Sequence, residues 1–148
     1  AGAGNDSLVD SPTNYGTDTG VGGTVRGNYA TLNPLDNGGQ TLANGNLDIT
    51  GIASNWRGTR GTIGMSSGKW YWEVTQSSAN EVLVGIANAS ASLTSYLGSS
   101  ANGWGYDSAN GNKYNGSGVA YGATYTTNDI IGIALDMDAG TINVLEII

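Results

Sequence analysis

The chain has 148 residues, with 25 Gly, 2 Pro, 4 Trp and 8 Tyr and no Cys, His or Phe. That length fits one domain, and the missing Cys and His exclude disulfides, thiolate-ligated zinc and any Ser-His-Asp triad. Twelve acids against five scattered bases (Arg26, Arg57, Arg60, Lys69, Lys113) give a net charge of −7, a balance that argues against nucleic acid and anionic membrane as partners.

Residues 1–28 are poor in apolar side chains and read as an extended arm, with one short strand around Gly23–Arg26. The start, Ala1-Gly-Ala-Gly-Asn5, has neither an initiating Met nor a basic stretch followed by an apolar one, which suggests processing or a longer parent sequence. A folded domain is expected over residues 29–148. Tyr29–Leu35 predicts a short strand ended by Pro34, since proline cannot donate to a ladder. Asp36–Gly39 reads as a turn. Thr41–Ala43 has the length of an edge strand, Asn44-Gly45 signals a two-residue hairpin, and Asn46–Thr50 returns.

After Gly61–Met65 and a turn at Ser66–Gly68 comes the clearest strand, Lys69–Thr75. Its period of two places Trp70, Trp72 and Val74 on one face and Lys69, Tyr71, Glu73 and Thr75 on the other. Glu81–Ala87 is a nearly unbroken apolar run, which predicts a central strand covered on both faces. The polar stretch from Asn88 to Asn102 is expected to hold a helical turn near Ala91–Leu97. Trp104–Tyr106 and Asn112–Tyr114 read as short strands around Asn110-Gly111. Asp129–Asp136 is strand-like, and Asp138-Ala-Gly140 closes a hairpin onto Thr141–Ile148. No segment has a long 3.6-residue apolar period, so the pattern is that of an all-β sandwich or barrel. The sequence stops on an apolar strand, and a further segment or a neighbouring chain is expected to complete that sheet.

Gly68-Lys-Trp-Tyr-Trp-Glu-Val74, Val84-Gly-Ile-Ala87, Trp104-Gly-Tyr106, Asn128–Asp136 and Gly140-Thr-Ile-Asn143 together resemble the SPRY family, in order, over about residues 50–148. The resemblance implies an SPRY-like (concanavalin-like) antiparallel β-sandwich that acts as a non-catalytic recognition module through its loops. It also implies buried positions for Trp72 and Trp104. Upstream, Asp10-Ser-Pro-Thr13, Asn28–Leu35 and Thr41–Leu47 look like the segment preceding such domains in bacteriophage structural and tail-fibre proteins.

Among candidate site residues, Trp70 shares a strand face with Trp72 and is expected in the core. Trp56, Tyr96 and Tyr114 lie in polar, Asn-rich text without alternation. They are the candidates for gripping a partner or a glycan, because aromatic rings bury much area at low entropic cost. Arg57 joins them as a clamp for an acidic group, although Arg57 and Arg60 pairing with nearby Asp is the simpler account. The acids Glu73, Glu81, Asp107 and Asp129 show no pairing in the sequence that would support glycosidase chemistry. Asp136-Met-Asp-Ala-Gly140 has the alternating oxygens of a calcium loop without the remaining ligands, and it reads as a hairpin turn. The Gly-rich tracts contain no phosphate-binding motif. Neither a cofactor nor a metal is expected, and no catalytic residue is assigned.

The function expected from the sequence is that of a non-catalytic virion appendage of a bacteriophage, tail fibre or capsid-associated. It would assemble with itself or other virion subunits into an oligomer or lattice and meet a host-surface glycan or protein. A carbohydrate-binding module is the alternative, and a tail-associated glycan hydrolase is a third class.

Overall fold

The computed structural model describes residues 30–52 and 55–147; the expected arm over 1–28 and its short strand fall outside them. Eleven strands follow in order: β1 (Leu32–Asn37), β2 (Thr41–Ala43), β3 (Asp48–Thr50), β4 (Thr59–Gly61), β5 (Lys69–Thr75), β6 (Leu83–Ala87), β7 (Gly103–Asp107), β8 (Asn112–Tyr114), β9 (Gly118–Ala120), β10 (Ile130–Asp136) and β11 (Thr141–Ile147). All pairings are antiparallel. Two sheets form the body, one in the order β11-β10-β5 and the other β6-β7-β8-β9, with the small pairs β1-β4 and β2-β3 beside them.

The three-stranded sheet follows directly from its alternation. β5 and β10 pair so that Trp70, Trp72 and Val74 stand opposite Leu135, Ile133 and Ile131. On the other side Ile133 faces Val144 and Leu135 faces Ile142. Side chains opposite one another in a ladder share a face, so these form one apolar layer. Val84 of β6 and Tyr106 of β7 close over it from the second sheet, with Tyr125. Ile131 and Ile133 are 1% and 0% exposed.

Tyr125 fixes the second sheet to the connection before β10. Its ring stacks on Tyr106 at 5.1 Å, and its hydroxyl donates to the Tyr106 carbonyl at 2.8 Å, with the Val82 carbonyl at 3.1 Å. Burial pushes this phenol well above the ordinary tyrosine range. Tyr125→Phe keeps the ring and removes the donor, and is expected to cost about 1–2 kcal/mol. Urea unfolding checks this; an unchanged midpoint would mean the hydroxyl contributes nothing.

Several expectations are corrected by the coordinates. β1 runs through Pro34 instead of ending there, because the register to β4 shifts between Leu32 and Asn37 and a bulge demands no proline N–H. The β2-β3 connection has four residues, since Ala43 pairs with Asp48; Asn44, Gly45 and Asn46 all take positive φ. Among the described strands β6 stands at the end of its sheet, where the apolar run predicts a central one. No helical turn forms over 91–97. β9, a three-residue strand exposed throughout, lacks the apolar alternation that would have announced it.

Trp104 is 42% exposed instead of buried. It shares the inner face with Tyr106, but the β7–β8 pairing spans only Gly105 and Tyr106, so Trp104 lies beyond the ladder, at an open groove shared with Val119 and Ile142. The outer edge of β11 is partly sealed as well: the Tyr121 hydroxyl donates to the Val144 carbonyl at 3.1 Å and accepts from its N–H at 3.0 Å.

The two aspartates of the Asp136–Gly140 turn are occupied by the hairpin. Asp136 Oδ1 accepts from the N–H groups of Asp138 and Ala139, its Oδ2 meets the Lys69 ammonium, and Asp138 Oδ1 accepts from Gly68 N–H at 2.9 Å. The hydrogen bond from Lys69 holds the Asp136 carboxyl below the usual carboxylate range.

Candidate functional site

The outer face of the four-stranded sheet is covered by chain that is not itself strand. Alternation along β7 sends Asp107 and Gly105 outward, and the pairings Leu83 with Asp107 and Gly105 with Tyr114 put Leu83 and Tyr114 on the same face. The connection over residues 88–102 lies down on this face. Gly105 permits it, because a Cβ there would stand 2.6 Å from the Leu97 carbonyl oxygen.

Three further ties hold that connection in place. Gly58 N–H donates to the Leu93 carbonyl at 2.9 Å, and Gly116 N–H to the Gly98 carbonyl at 2.8 Å. Arg60, on β4, forms a forked ion pair with Asp36 at 2.7 and 2.9 Å and donates from its other terminal nitrogen to the Ala89 and Ala91 carbonyls. One guanidinium thus joins β1, β4 and the covering connection, as its planar fork allows. Arg60→Ala is expected to destabilise the protein by about 1.5–3 kcal/mol, the range for hydrogen bonds to charged groups. Thermal unfolding reads this directly, and a loss of a few tenths would reduce the pair to an ordinary surface contact.

These ties bring Trp56 against Tyr96, at 6.2 Å between ring centroids and 66° between planes. Tyr96 meets Tyr114 at 5.5 Å and 73°. The three rings edge a cleft of about 320 Å³ whose remaining wall is Glu81, Leu83, Asp107 and Asn110. Trp56 is 38% exposed at the rim. Asp107 is 3% exposed at the base, where it accepts from Ala109 N–H at 2.8 Å and from the Asn110 side-chain amide at 2.9 Å. Asn110 also donates to the Tyr114 hydroxyl at 3.1 Å. Burial, and then the Asp107 carboxylate beside it, push the Glu81 carboxyl above the usual range.

The structure therefore gathers Trp56, Tyr96 and Tyr114, which the sequence singled out separately, into one cluster. Arg57 is not in the cleft wall; it donates to the Trp56 carbonyl at 3.0 Å. The expected pairing with aspartate holds for Arg60, with Asp36, and among the described residues no aspartate pairs with Arg57. Glu81 and Asp107 do meet, a pairing the sequence did not reveal. The Asp107 carboxylate bears directly on the Glu81 carboxyl, whereas glycosidase carboxylates face one another across the sugar, about 5–9.5 Å apart. Glu73 lies on the outer face of β5, accepting from the Tyr71 hydroxyl, and Asp129 accepts from Thr126 N–H; neither lines this cleft. Among the described residues no three His, Cys, Asp or Glu side chains form a group able to hold a metal.

Two facing antiparallel sheets with a loop-built cleft are the architecture of a β-sandwich recognition domain. The SPRY domain family model matches residues 69–144, and the chain belongs to that family. It is similar to the ATP-dependent RNA helicase DDX1 of Xenopus laevis, 32% identical over 120 residues, which are 80% of this chain and 16% of the helicase. A probable ATP-dependent RNA helicase ddx1 of Dictyostelium discoideum is 29% identical over 98 residues, 63% of this chain and 12% of that protein. The chain thus spans less than one-fifth of either relative.

Proposed function

We propose that this chain is a non-catalytic recognition module that holds a partner protein in the cleft edged by Trp56, Tyr96 and Tyr114. The observation carrying this reading is the convergence of three aromatic rings, from two connections and a strand, at one rigidly tied cleft. Aromatic anchors in such pockets supply a disproportionate share of interface energy. Membership of a family whose domains typically serve protein interaction supports it.

A finer form of the reading places the module in a bacteriophage virion, as tail fibre or capsid-associated subunit, assembling with itself. The support for that form is the upstream resemblance and the low charge with abundant Gly, Asn, Ser and Thr; two relatives named as RNA helicases lend it none. A carbohydrate-binding module draws on the same rings and on Asn110. The edge-to-face arrangement favours an inserted side chain over a flat sugar, because no two of these rings form a continuous platform.

The test is panning a displayed peptide library against the whole chain, beside a glycan array. Enriched peptides are expected to lose at least tenfold in affinity on Trp56→Ala or Tyr114→Ala and to keep it on Leu145→Ala, a change on the exposed outer face of β11. Peptides indifferent to the first two variants would overturn the reading. Sugars that depend on Trp56 and Tyr114 would replace it with the carbohydrate module.

A further inference from the structure

The geometry points to a cationic side chain, lysine or arginine, as the group of the partner protein that enters the cleft, seated between the Trp56, Tyr96 and Tyr114 rings above the Glu81 and Asp107 carboxylates. This rests on the recognition reading and specifies its ligand. Aromatic faces carry negative quadrupole and attract cations, tryptophan most strongly and arginine more often than lysine. Here the rings share their cleft with two carboxylates and no basic residue.

The bases of the described chain are engaged elsewhere. Arg60 is paired with Asp36 and Lys69 with Asp136. Lys113 stands over the Tyr121 ring at 5.3 Å, and Arg57 is turned to the Trp56 carbonyl. Among the described residues, then, no cation of this chain compensates Glu81 and Asp107. Two adjacent like charges resist ionising together, and an incoming cation relieves them.

Asp107 is buried and already accepts two hydrogen bonds from its own turn, so it presents a fixed negative base. Glu81 is exposed to solvent where Asp107 is buried, so a ligand reaches it first. A cleft of about 320 Å³ is at the small end of ligand pockets, which run from about 300 to 1,000 Å³. It suits one side chain, not a helix. The net charge of −7 adds a general attraction for a basic partner.

The experiment compares N-acetyl-arginine methylamide with its neutral isostere, N-acetyl-citrulline methylamide, by titration of the full chain followed through the Trp56 indole N–H resonance. The arginine probe is expected to shift that resonance and to bind at least tenfold more tightly than citrulline. Glu81→Gln is expected to weaken arginine about fivefold or more and leave citrulline unchanged. Affinity for the cation should also rise with pH through the raised Glu81 titration; the other titratable groups facing it are Asp107, Tyr96 and Tyr114. Equal binding of the two probes, or arginine binding indifferent to Glu81→Gln, would overturn the cationic ligand. If library peptides bind through Trp56 and Tyr114 with no such charge preference, the recognition reading stands and this inference alone falls. If neither probe nor peptide reaches the cleft, both fall.

Discussion

Ile133→Ala is expected to cost about 2–5 kcal/mol, the usual range for emptying a fully enclosed aliphatic site. Ile133 is 0% exposed at the centre of β10, flanked by Trp72 on β5 and Val144 on β11. It touches the layer that both sheets share, so neighbours on three strands lose contact at once. Collapse into the cavity is hindered because each neighbour is fixed by a ladder on its own strand. Stabilities of small domains are about 5–15 kcal/mol, and the loss is a large fraction of that. Urea denaturation should show a lower midpoint with an unchanged slope, the signature of reduced stability without a changed unfolded state. Ile133→Val, which removes one methylene, should cost about 0.5–1.5 kcal/mol. A full-strength Ile133→Ala protein would mean that the two sheets do not close over this residue.

That core was legible before the coordinates. Lys69–Thr75 announced itself by strict alternation, and the observed strand has those same bounds. The Asp138–Gly140 turn fixed the register of the last hairpin, because a tight connection leaves little freedom in which residues face one another. Glu81–Ala87 misled for an instructive reason. Its apolar run does reflect cover on both faces, but the outer cover is the connection over 88–102 and not a second neighbouring strand. Leu83 faces the cleft while Val84 faces the core. An unbroken apolar run reports burial, and burial does not specify position within a sheet. Trp104 misled through the opposite assumption: it occupies the core face, yet at a level the β7–β8 ladder does not reach.

The site was legible as residue types and not as a place. Trp56, Tyr96 and Tyr114 each drew notice as aromatics in polar text, but their convergence depends on three long-range ties that leave no periodic trace. Those ties run from Gly58 to Leu93, from Arg60 to Ala89 and Ala91, and from Gly116 to Gly98. The meeting of Glu81 and Asp107 depends on the pairing of Leu83 with Asp107, which no spacing encodes. Glycines were the available signal: Gly98 and Gly105 stand where backbone must approach backbone. In a chain with 25 glycines that signal is diluted by turns.

Gly98→Ala separates the site from the core and should show the second large effect. Gly98 has φ +83°, and a Cβ there would lie 2.4 Å from the Tyr114 carbonyl oxygen and 2.7 Å from the Tyr114 Cβ. The left-handed conformation costs a substituted residue about 1–2 kcal/mol, and overfilling a packed contact typically adds about 1–3 kcal/mol. The obstructing atoms belong largely to the backbone of β8, so they cannot swing aside as a side-chain tip would. Relief requires the 88–102 connection to lift, which breaks the bond between Gly116 N–H and the Gly98 carbonyl and carries Tyr96 away from Tyr114. Ile131 and Ile133 lie on the far side of the sheet and are untouched. The variant should therefore lose about 2–5 kcal/mol of stability while keeping a native strand signature in far-ultraviolet circular dichroism. Binding at the cleft should fall further than the stability loss alone explains, since a folded fraction that remains dominant would still present separated rings. A Gly98→Ala protein with wild-type stability and intact binding would show that the connection does not rest on β8, and the cleft built upon that contact would go with it.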